Sequence, residues 1–315
     1  AVWGIGEHAQ RNILPALKRH ANTVLHGIHS RNRETLSKVG DQYNCRIYKR
    51  EVDLLEDENV RIVYLTTPNS CHKDHLLKCI THGKHVIVEK SAVLSLADAL
   101  EIEEIVASSG LVIREAFMFV SHPQYKMFKK IIDDKLFGDV RFISAAFSIP
   151  MPDEGNIRLD KSLGGGALND LGAYIVRSMW GLLPNQGDFK ANYEILGTPN
   201  SDLTGAVLAT NSTNIIFNGL WGFGLNYMNQ ITIHTDAYSI TGRAAFSKPT
   251  LISPDIEIFN GYTHHKTINI PKVDPFEALL TNFMCEIEAQ SISGRNDFVK
   301  QAQLMESPRE IALDT

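Results

Sequence analysis

Three stretches carry residues whose type and spacing could do chemistry. Gly4-Ile5-Gly6-Glu7-His8-Ala9 has the form GxGxxA, directly after a strand-like run and directly before a helical one. Gly4 would permit a tight turn and Gly6 would let the backbone approach a pyrophosphate. Ala9 is small enough for close helix–sheet packing, and the helix N-terminus offers its N–H groups to an anion. Gly4, Gly6, Glu7 and His8 are therefore candidate cofactor contacts, although glycine also simply ends strands. At the end of the second strand stand His29-Ser30-Arg31-Asn32-Arg33, where an NAD site usually has a carboxylate; Glu34 already lies in the following helix. Ser30 and Arg31 suit a 2′-phosphate, which favours NADP with NAD still open; Arg31 and Arg33 also read as solvated loop residues.

The second stretch comprises two strand ends. Thr66-Thr67-Pro68-Asn69 follows Arg61–Thr66, and Glu89-Lys90-Ser91 follows Lys84–Val88. Both fall at the carboxyl edge of a parallel sheet, where open α/β folds bind ligands. Lys90 ends an apolar strand and is a candidate catalytic cation, or else an exposed partner of Glu89. The third stretch is Gly164-Gly165-Gly166-Ala167-Leu168-Asn169-Asp170-Leu171-Gly172-Ala173-Tyr174. Three glycines allow a ligand close to the backbone, and the i, i+4 spacing of Asp170 and Tyr174 predicts side chains on one helix face. Gly172 costs that helix about 1 kcal/mol relative to alanine, so something must pack tightly there.

The elements that position these residues follow from periodicity. The first third alternates strands (Ala1–Ile5, Val24–His29, Arg61–Thr66, Lys84–Val88, Leu111–Arg114) with helical patterns (His8–His20 and Asn69 to Gly83), the arrangement of a doubly wound parallel sheet. After a helix at Ser121–Leu136 come strands at Val140–Ile149, Ala191–Gly197, Gly205–Ala209, Ile215–Trp221, Gln230–His234 and Ile256–Phe259. They predict a second, mainly antiparallel sheet. Helices are expected at Gly166–Leu182 and Pro275–Ala289. The chain begins within an apparent strand and ends within a helical pattern, so a few residues are expected to be missing at each end.

Composition narrows the partners. With 315 residues, 43% hydrophobic and 21% charged, the chain reads as roughly two globular domains. A formal net charge of −5 offers no footprint for a nucleic-acid backbone. No run approaches the ~20 apolar residues of a membrane span. Cys45, Cys71, Cys79 and Cys285 are scattered, which suits a reducing cytoplasm. Cys71, His75 and Cys79 recur every four residues, but no second ligand pair accompanies them, and His264-His265 makes a poor chelate; no metal is expected.

Taken together, GxGxxA, Pro68-Asn69-Ser70-Cys71-His72, Glu89-Lys90, His122-Pro123-Gln124, Phe137-Gly138-Asp139-Val140 and GGGALxDxGxY resemble the Gfo/Idh/MocA oxidoreductases. The resemblance implies an α/β fold: an N-terminal Rossmann domain over 1–116, then a substrate and oligomerisation domain with a large, mainly antiparallel open-faced sheet over 117–292. A helical segment, 293–315, would pack back on the first domain. It implies a site in a cleft between the domains, with Thr67, Pro68, Asn69, His72, Glu89 and Lys90 among the cofactor contacts. It also implies a homodimer or homotetramer through the second sheet. Many members have proline where this chain has Ser91, which leaves the turn after Lys90 in doubt. Many have histidine at Tyr174; tyrosine there is similar to the branch of glucose–fructose oxidoreductase, dihydrodiol and xylose dehydrogenases and sugar ketoreductases. Arg158 is similar to that branch too, as a substrate contact.

The activity expected is hydride transfer between a nicotinamide and a carbinol or carbonyl carbon of a sugar, sugar nucleotide or related diol. Tyr174 would exchange the proton. A free phenol, with a pKa of about 10, needs help at neutral pH, and a cation within ~4–6 Å can lower it by roughly 1–3. Lys90 would be that cation, and Asp170 would orient Lys90 or hold a substrate hydroxyl. A ring of residue 174 sunk in the hydrophobic interior, or far from residue 90, would remove the enzymatic case and leave a nucleotide-holding fold. The alternative is a dinucleotide-binding sensor of the same fold.

Overall fold

The computed structural model describes residues 1–184, 189–248 and 252–314. By its contacts the chain divides into two compact units, Ala1–Ala116 with Phe276–Gln303, and Phe117–Pro275 with Leu304–Thr315.

The first unit holds six parallel strands: β1 (Val2–Trp3), β2 (Gly27–His29), β3 (Arg46–Tyr48), β4 (Ile62–Leu65), β5 (His85–Val88) and β6 (Ile113–Glu115). Their order is β3-β2-β1-β4-β5-β6, so chain direction across the sheet reverses between β1 and β4, the switch point of a doubly wound fold. Val63, Leu65, Val86 and Val88 bury themselves with Leu76, Cys79, Ile80, Ala99 and Ile102 of the covering helices in one apolar core. The third strand was not expected: Arg-Ile-Tyr is too short to show a period. Its Tyr48 is buried and donates its hydroxyl to Asp57 at 2.8 Å.

Helix Pro275–Glu288 belongs to this first unit, whereas the sequence placed it in 117–292. Side-chain pairs hold it there: Glu277 accepts from Arg19 Nε at 2.5 Å, and Arg114 pairs with Glu286. The last helix, Ser293–Asp314, is divided at Gln303/Leu304 rather than assigned whole to the first domain.

Among the described residues the second unit contains eight strands: β7 (Val140–Ile149), β8 (Phe189–Thr198), β9 (Ser201–Asn211), β10 (Ile216–Phe223), β11 (Met228–Thr235), β12 (Ser239–Arg243), β13 (Ile256–Asn260) and β14 (Thr263–Ile268). The order is β14-β13-β12-β11-β7-β10-β9-β8, antiparallel except for the β7–β10 pair. Alternation in β8–β10 buries Ile195, Val207, Ala209 and Phe217 on one face and exposes Leu196, Leu208 and Ile216 on the other. The buried face meets the fully buried helix Ala173–Leu182; Ile175 lies where a Cβ on Gly219 of β10 would fall.

The expected tight packing at Gly172 has an identifiable cause. A Cβ there would stand 2.9 Å from Trp221 Cε2 and from Leu168 Cδ1, and one on Gly205 of β9 would run into the same indole ring. Two glycines thus form the slot that the fully buried Trp221 fills. Gly205→Ala should therefore overpack the core and lower stability by about 1–3 kcal/mol, read as a reduced denaturant midpoint. An unchanged midpoint would show that the ring can move aside.

Candidate active site

The carboxyl ends of β1, β4 and β5 carry the first group of candidate residues. Gly4 has φ +100°, and a Cβ on it would sit 2.8–2.9 Å from the backbone of Thr66 and Thr67. Glycine is required because the loop after β1 lies directly on the loop after β4. Gly4 N donates to His29 O at 2.9 Å, and Thr66 Oγ1 donates to Gly4 O. Around a Cβ on Gly6, by contrast, nothing lies within 4 Å. The turn leads into a helical run, Ala9–Arg19, whose start no side chain caps. This opening at a helix N-terminus fits a dinucleotide's pyrophosphate. Glu7 is exposed and pairs with Arg11 at 2.5 Å.

His8 reaches Glu89 Oε1 at 3.2 Å through Nε2, and its Nδ1 meets Asn12 at 3.1 Å. Tyr64 donates to the same Glu89 oxygen at 3.0 Å. Burial pushes the Glu89 carboxyl up, but the charge and hydrogen bond of His8, the neighbouring Lys90 and the Tyr64 hydroxyl outweigh it and hold the group below the ordinary carboxylate range. At the end of β2, Ser30 is half-buried, Arg31 is exposed, and Asn32 caps helix Arg33–Tyr43 by accepting from Thr35 N at 3.0 Å. Glu34 stands in the first turn of that helix.

Thr67, Pro68, Asn69 and Lys90 are half-buried at this edge. The turn left in doubt by Ser91 is made by a cis peptide between Lys90 and Ser91. Its flanks are fixed: Glu89 N donates to Leu65 O at 2.9 Å, and Ala92 N donates to Glu115 Oε1 at 2.9 Å. Buried Glu115 escaped the sequence reading; its only signal was a carboxylate closing an apolar strand. His72 departs from its expected part. It is 0% exposed, with Nδ1 2.9 Å from Ser91 O and Nε2 2.7 Å from Thr67 O, so both ring nitrogens are engaged by backbone rather than offered to a cofactor.

In the second unit the glycine run approaches its own chain. A Cβ on Gly165 would stand 2.7 Å from the carbonyl oxygens of Ile157 and Arg158, and one on Gly166 (φ +104°) would strike the Asp202 carboxylate. Gly166 N donates to Arg158 O at 2.7 Å. Gly165 therefore serves close packing of backbone on backbone and Gly166 leaves room for the Asp202 carboxylate, where the sequence suggested room for a ligand. Asp202, read only as part of a turn, accepts from Leu168 N at 2.6 Å at the start of the helical run that bears Asp170 and Tyr174. Burial pushes its carboxyl up.

That run opens as a π-helix, Leu168–Gly172, before the α-helix Ala173–Leu182. Asp170 and Tyr174 straddle the junction, which breaks the simple i, i+4 register. Asp170 Oδ2 accepts from Arg158 Nε at 2.8 Å, bringing two candidate substrate residues together. Tyr174 is 6% exposed. Its ring packs on Phe117, Phe147 and Phe119 at centroid distances of 5.6, 5.3 and 5.7 Å and on Phe246 at 6.0 Å, while its hydroxyl lies 3.8 Å from Met118 Sδ. The ring therefore lies in the apolar interior of the second unit, the placement that tells against the proton-exchange scheme expected from the sequence.

Among the described residues no cluster of His, Cys, Asp and Glu is arranged to hold a metal ion, and no helix is long and apolar enough to cross a membrane. Cys79 is buried and its thiol is pushed up to about 12; His75 stacks on Trp3 at 4.1 Å and meets Thr67 Oγ1 at 3.0 Å.

With this geometry in place, comparison with known proteins identifies the lineage. Residues 1–117 match the oxidoreductase family with the NAD-binding Rossmann fold, and residues 125–240 match the C-terminal domain of the same family. The chain belongs to the Gfo/Idh/MocA oxidoreductase family. Members similar to it include the dTDP-3,4-didehydro-2,6-dideoxy-alpha-D-glucose 3-reductase of Streptomyces antibioticus, 26% identical over 99% of this chain and 96% of that one. A trans-1,2-dihydrobenzene-1,2-diol dehydrogenase of Xenopus laevis is 30% identical over 42% of this chain and 40% of its own. Among solved structures in the same fold, a 3-ketoreductase from Actinomadura kijaniata with NADP and TDP-benzene superposes with a TM-score of 0.90 at 24% identity, covering 96% of this chain and 94% of that one.

Burial also sets a pH dependence at this edge. It lowers the His75 pKa to about 4, against an ordinary 6.5, despite the opposing pull of Asp74 and Glu51. Between those values the unfolded chain binds more protons than the folded one at this site, so the His75 contribution to stability falls as pH drops from about 6.5 to about 4 and is constant below. Urea midpoints by circular dichroism should follow that slope, and His75→Gln should flatten it. The flattening is partial, because His122 in the second unit is also lowered to about 4 by burial. A slope that His75→Gln leaves unchanged would assign it elsewhere.

Proposed function

We propose that this protein is an NADP-preferring oxidoreductase acting on a CH–OH or carbonyl carbon of a sugar nucleotide or a related sugar or diol. The observation that carries the reading is the open space at Gly6, at an uncapped helix start, combined with a β2 end that presents Ser30 and Arg31 where NAD sites place a carboxylate. Bound NADP(H) supplies or takes up the hydride at its nicotinamide. Gly4, Gly6, Glu7, His8, Thr67, Pro68, Asn69, Glu89 and Lys90 line the loops that would hold it, and Arg31 would pair with the 2′-phosphate.

The remaining task is proton transfer at the substrate oxygen. The reading assigns it to Tyr174, with Lys90 as the cation that makes the phenol a workable acid and binds the developing alkoxide. Burial of the Tyr174 ring among phenylalanines stands against this assignment, so the activity of the Tyr174→Phe variant decides it. Asp170 and its partner Arg158 would take substrate hydroxyls. Structures of the Actinomadura kijaniata 3-ketoreductase with NADP and TDP-benzene include variants with a tyrosine changed to phenylalanine and a lysine changed to alanine. The two altered positions lie as far apart in that sequence as Lys90 and Tyr174 do here, which supports the pair. The exposed Leu196, Leu208 and Ile216 support association of two or four chains through the large sheet.

Turnover is followed as loss of NADPH absorbance with keto-sugar nucleotides, ketoses and dicarbonyls. Tyr174→Phe should reduce it about 10²–10⁴-fold while sparing NADPH binding. Lys90→Met should damage both turnover and cofactor affinity. Full activity in Tyr174→Phe would identify another acid, and tight NADPH binding without turnover on any substrate would favour the sensor. Arg31→Ala should weaken NADPH binding about 10-fold or more and leave NADH binding nearly unchanged, as measured by fluorescence titration. Equal losses for both cofactors would rule out a 2′-phosphate contact.

A further inference from the structure

We propose that His72 is a positioning residue for Lys90, its imidazole clamping the loop that carries the lysine to the loop that follows β4. The inference rests on the assignment of Lys90 above. The ring is wholly buried, at the first position of helix His72–Thr81, and touches neither solvent nor an open site. Its Nδ1 lies 2.9 Å from Ser91 O, one residue beyond Lys90, and its Nε2 lies 2.7 Å from Thr67 O. Both partners are carbonyl oxygens, which only accept. A neutral imidazole has one N–H and can satisfy one of them at a time; the protonated ring satisfies both.

The chemistry of the neighbourhood explains why a histidine is used. Either neutral tautomer donates to one oxygen and sets the lone pair of its other nitrogen against the second, so the ring spans the two loops and bonds one of them at a time. An apolar ring of similar size would supply a donor to neither carbonyl. A longer flexible side chain would not fix that span. Further anchors of the segment lie at Glu89 N, on Leu65 O, and at Ala92 N, on Glu115. The contact of His72 with the Ser91 carbonyl adds a tie within the Lys90 turn itself. Glu89, which favours a charged ring, and Lys90, which opposes it, face His72 from the β5 end, with His75 on its own helix.

A double-mutant cycle tests the clamp, with NADPH dissociation constants from fluorescence titration and reduction rates as readouts. His72→Phe should weaken NADPH binding and slow turnover about 10-fold or more, since misplacing a reacting group by about an ångström costs up to about 100-fold. In a Lys90→Met background the same replacement should add less than about twofold, because the residue it positions is gone. His72→Gln, which keeps a donor for one carbonyl, should recover part of the loss. It also runs the same cycle if circular dichroism shows that the phenylalanine variant does not fold. A loss that multiplies in full on Lys90→Met, or an unaffected His72→Phe, overturns the proposal. A Lys90→Met variant with normal binding and turnover removes the role of Lys90, and this inference with it. Independently of any variant, long-range ¹H–¹⁵N spectra of the unaltered protein should show a slowly exchanging ring proton on His72; a ring whose proton exchanges freely would mean that the clamp does not form.

Discussion

The loop after β1 lies so close to the loop after β4 that residue 4 has no room for a side chain, and the cofactor-side edge of the first unit is built on that contact. Gly4 reaches His29 on one side through its N–H and Thr66 on the other through its carbonyl, so three strand ends are tied at one residue. Glu89 extends the tie to the fourth strand end, taking bonds from Tyr64 and His8 while its own N–H is held by Leu65. A backbone edge cross-linked in this way has little freedom left to lose, which limits the ordering cost of binding.

The second unit solves the same problem with apolar contacts. Asp202 fixes where the helical run begins, the slot between Gly172 and Gly205 receives Trp221, and four phenylalanines surround Tyr174. Polar tethers suit loops that must leave donors and acceptors near a charged dinucleotide. Aromatic packing fixes the direction of the Tyr174 ring, because an interior packed like a crystal resists rotation of a large ring.

Where the determinants are local, the sequence was readable. The GxGxxA turn, the strands that carry Val/Ile runs, β7 to the residue, and the glycine penalty at position 172 all declare themselves within a few neighbours. The strands at Arg46–Tyr48, Ser239–Arg243 and Thr263–Ile268 did not, being short, polar or exposed at a sheet edge, where alternation carries little signal. The membership of helix Pro275–Glu288 depends on Arg19 and Arg114, over 170 residues or more of separation, and nothing near the helix encodes those partners. The candidate site was legible as a set of residues but not as a set of roles. Asp202 and Glu115 look like any carboxylate in a turn or at a strand end until the buried N–H groups they accept from are known.

That distinction changes what the motif residues mean. Gly165, Gly166 and His72 belong to the patterns that point to the family, yet each has close contacts within its own unit, with backbone at Gly165 and His72 and with the Asp202 carboxylate at Gly166. Once such residues are set aside, few of the motif side chains remain for chemistry: Lys90, Tyr174, and the Arg158–Asp170 pair. The pair argues for a polyhydroxylated substrate. A guanidinium and a carboxylate held 2.8 Å apart neutralise each other, so they offer hydrogen bonds in both directions at little net charge. Hydroxyl groups, which donate and accept, match that array, so the pair fits the sugar substrate proposed above and does not by itself identify it.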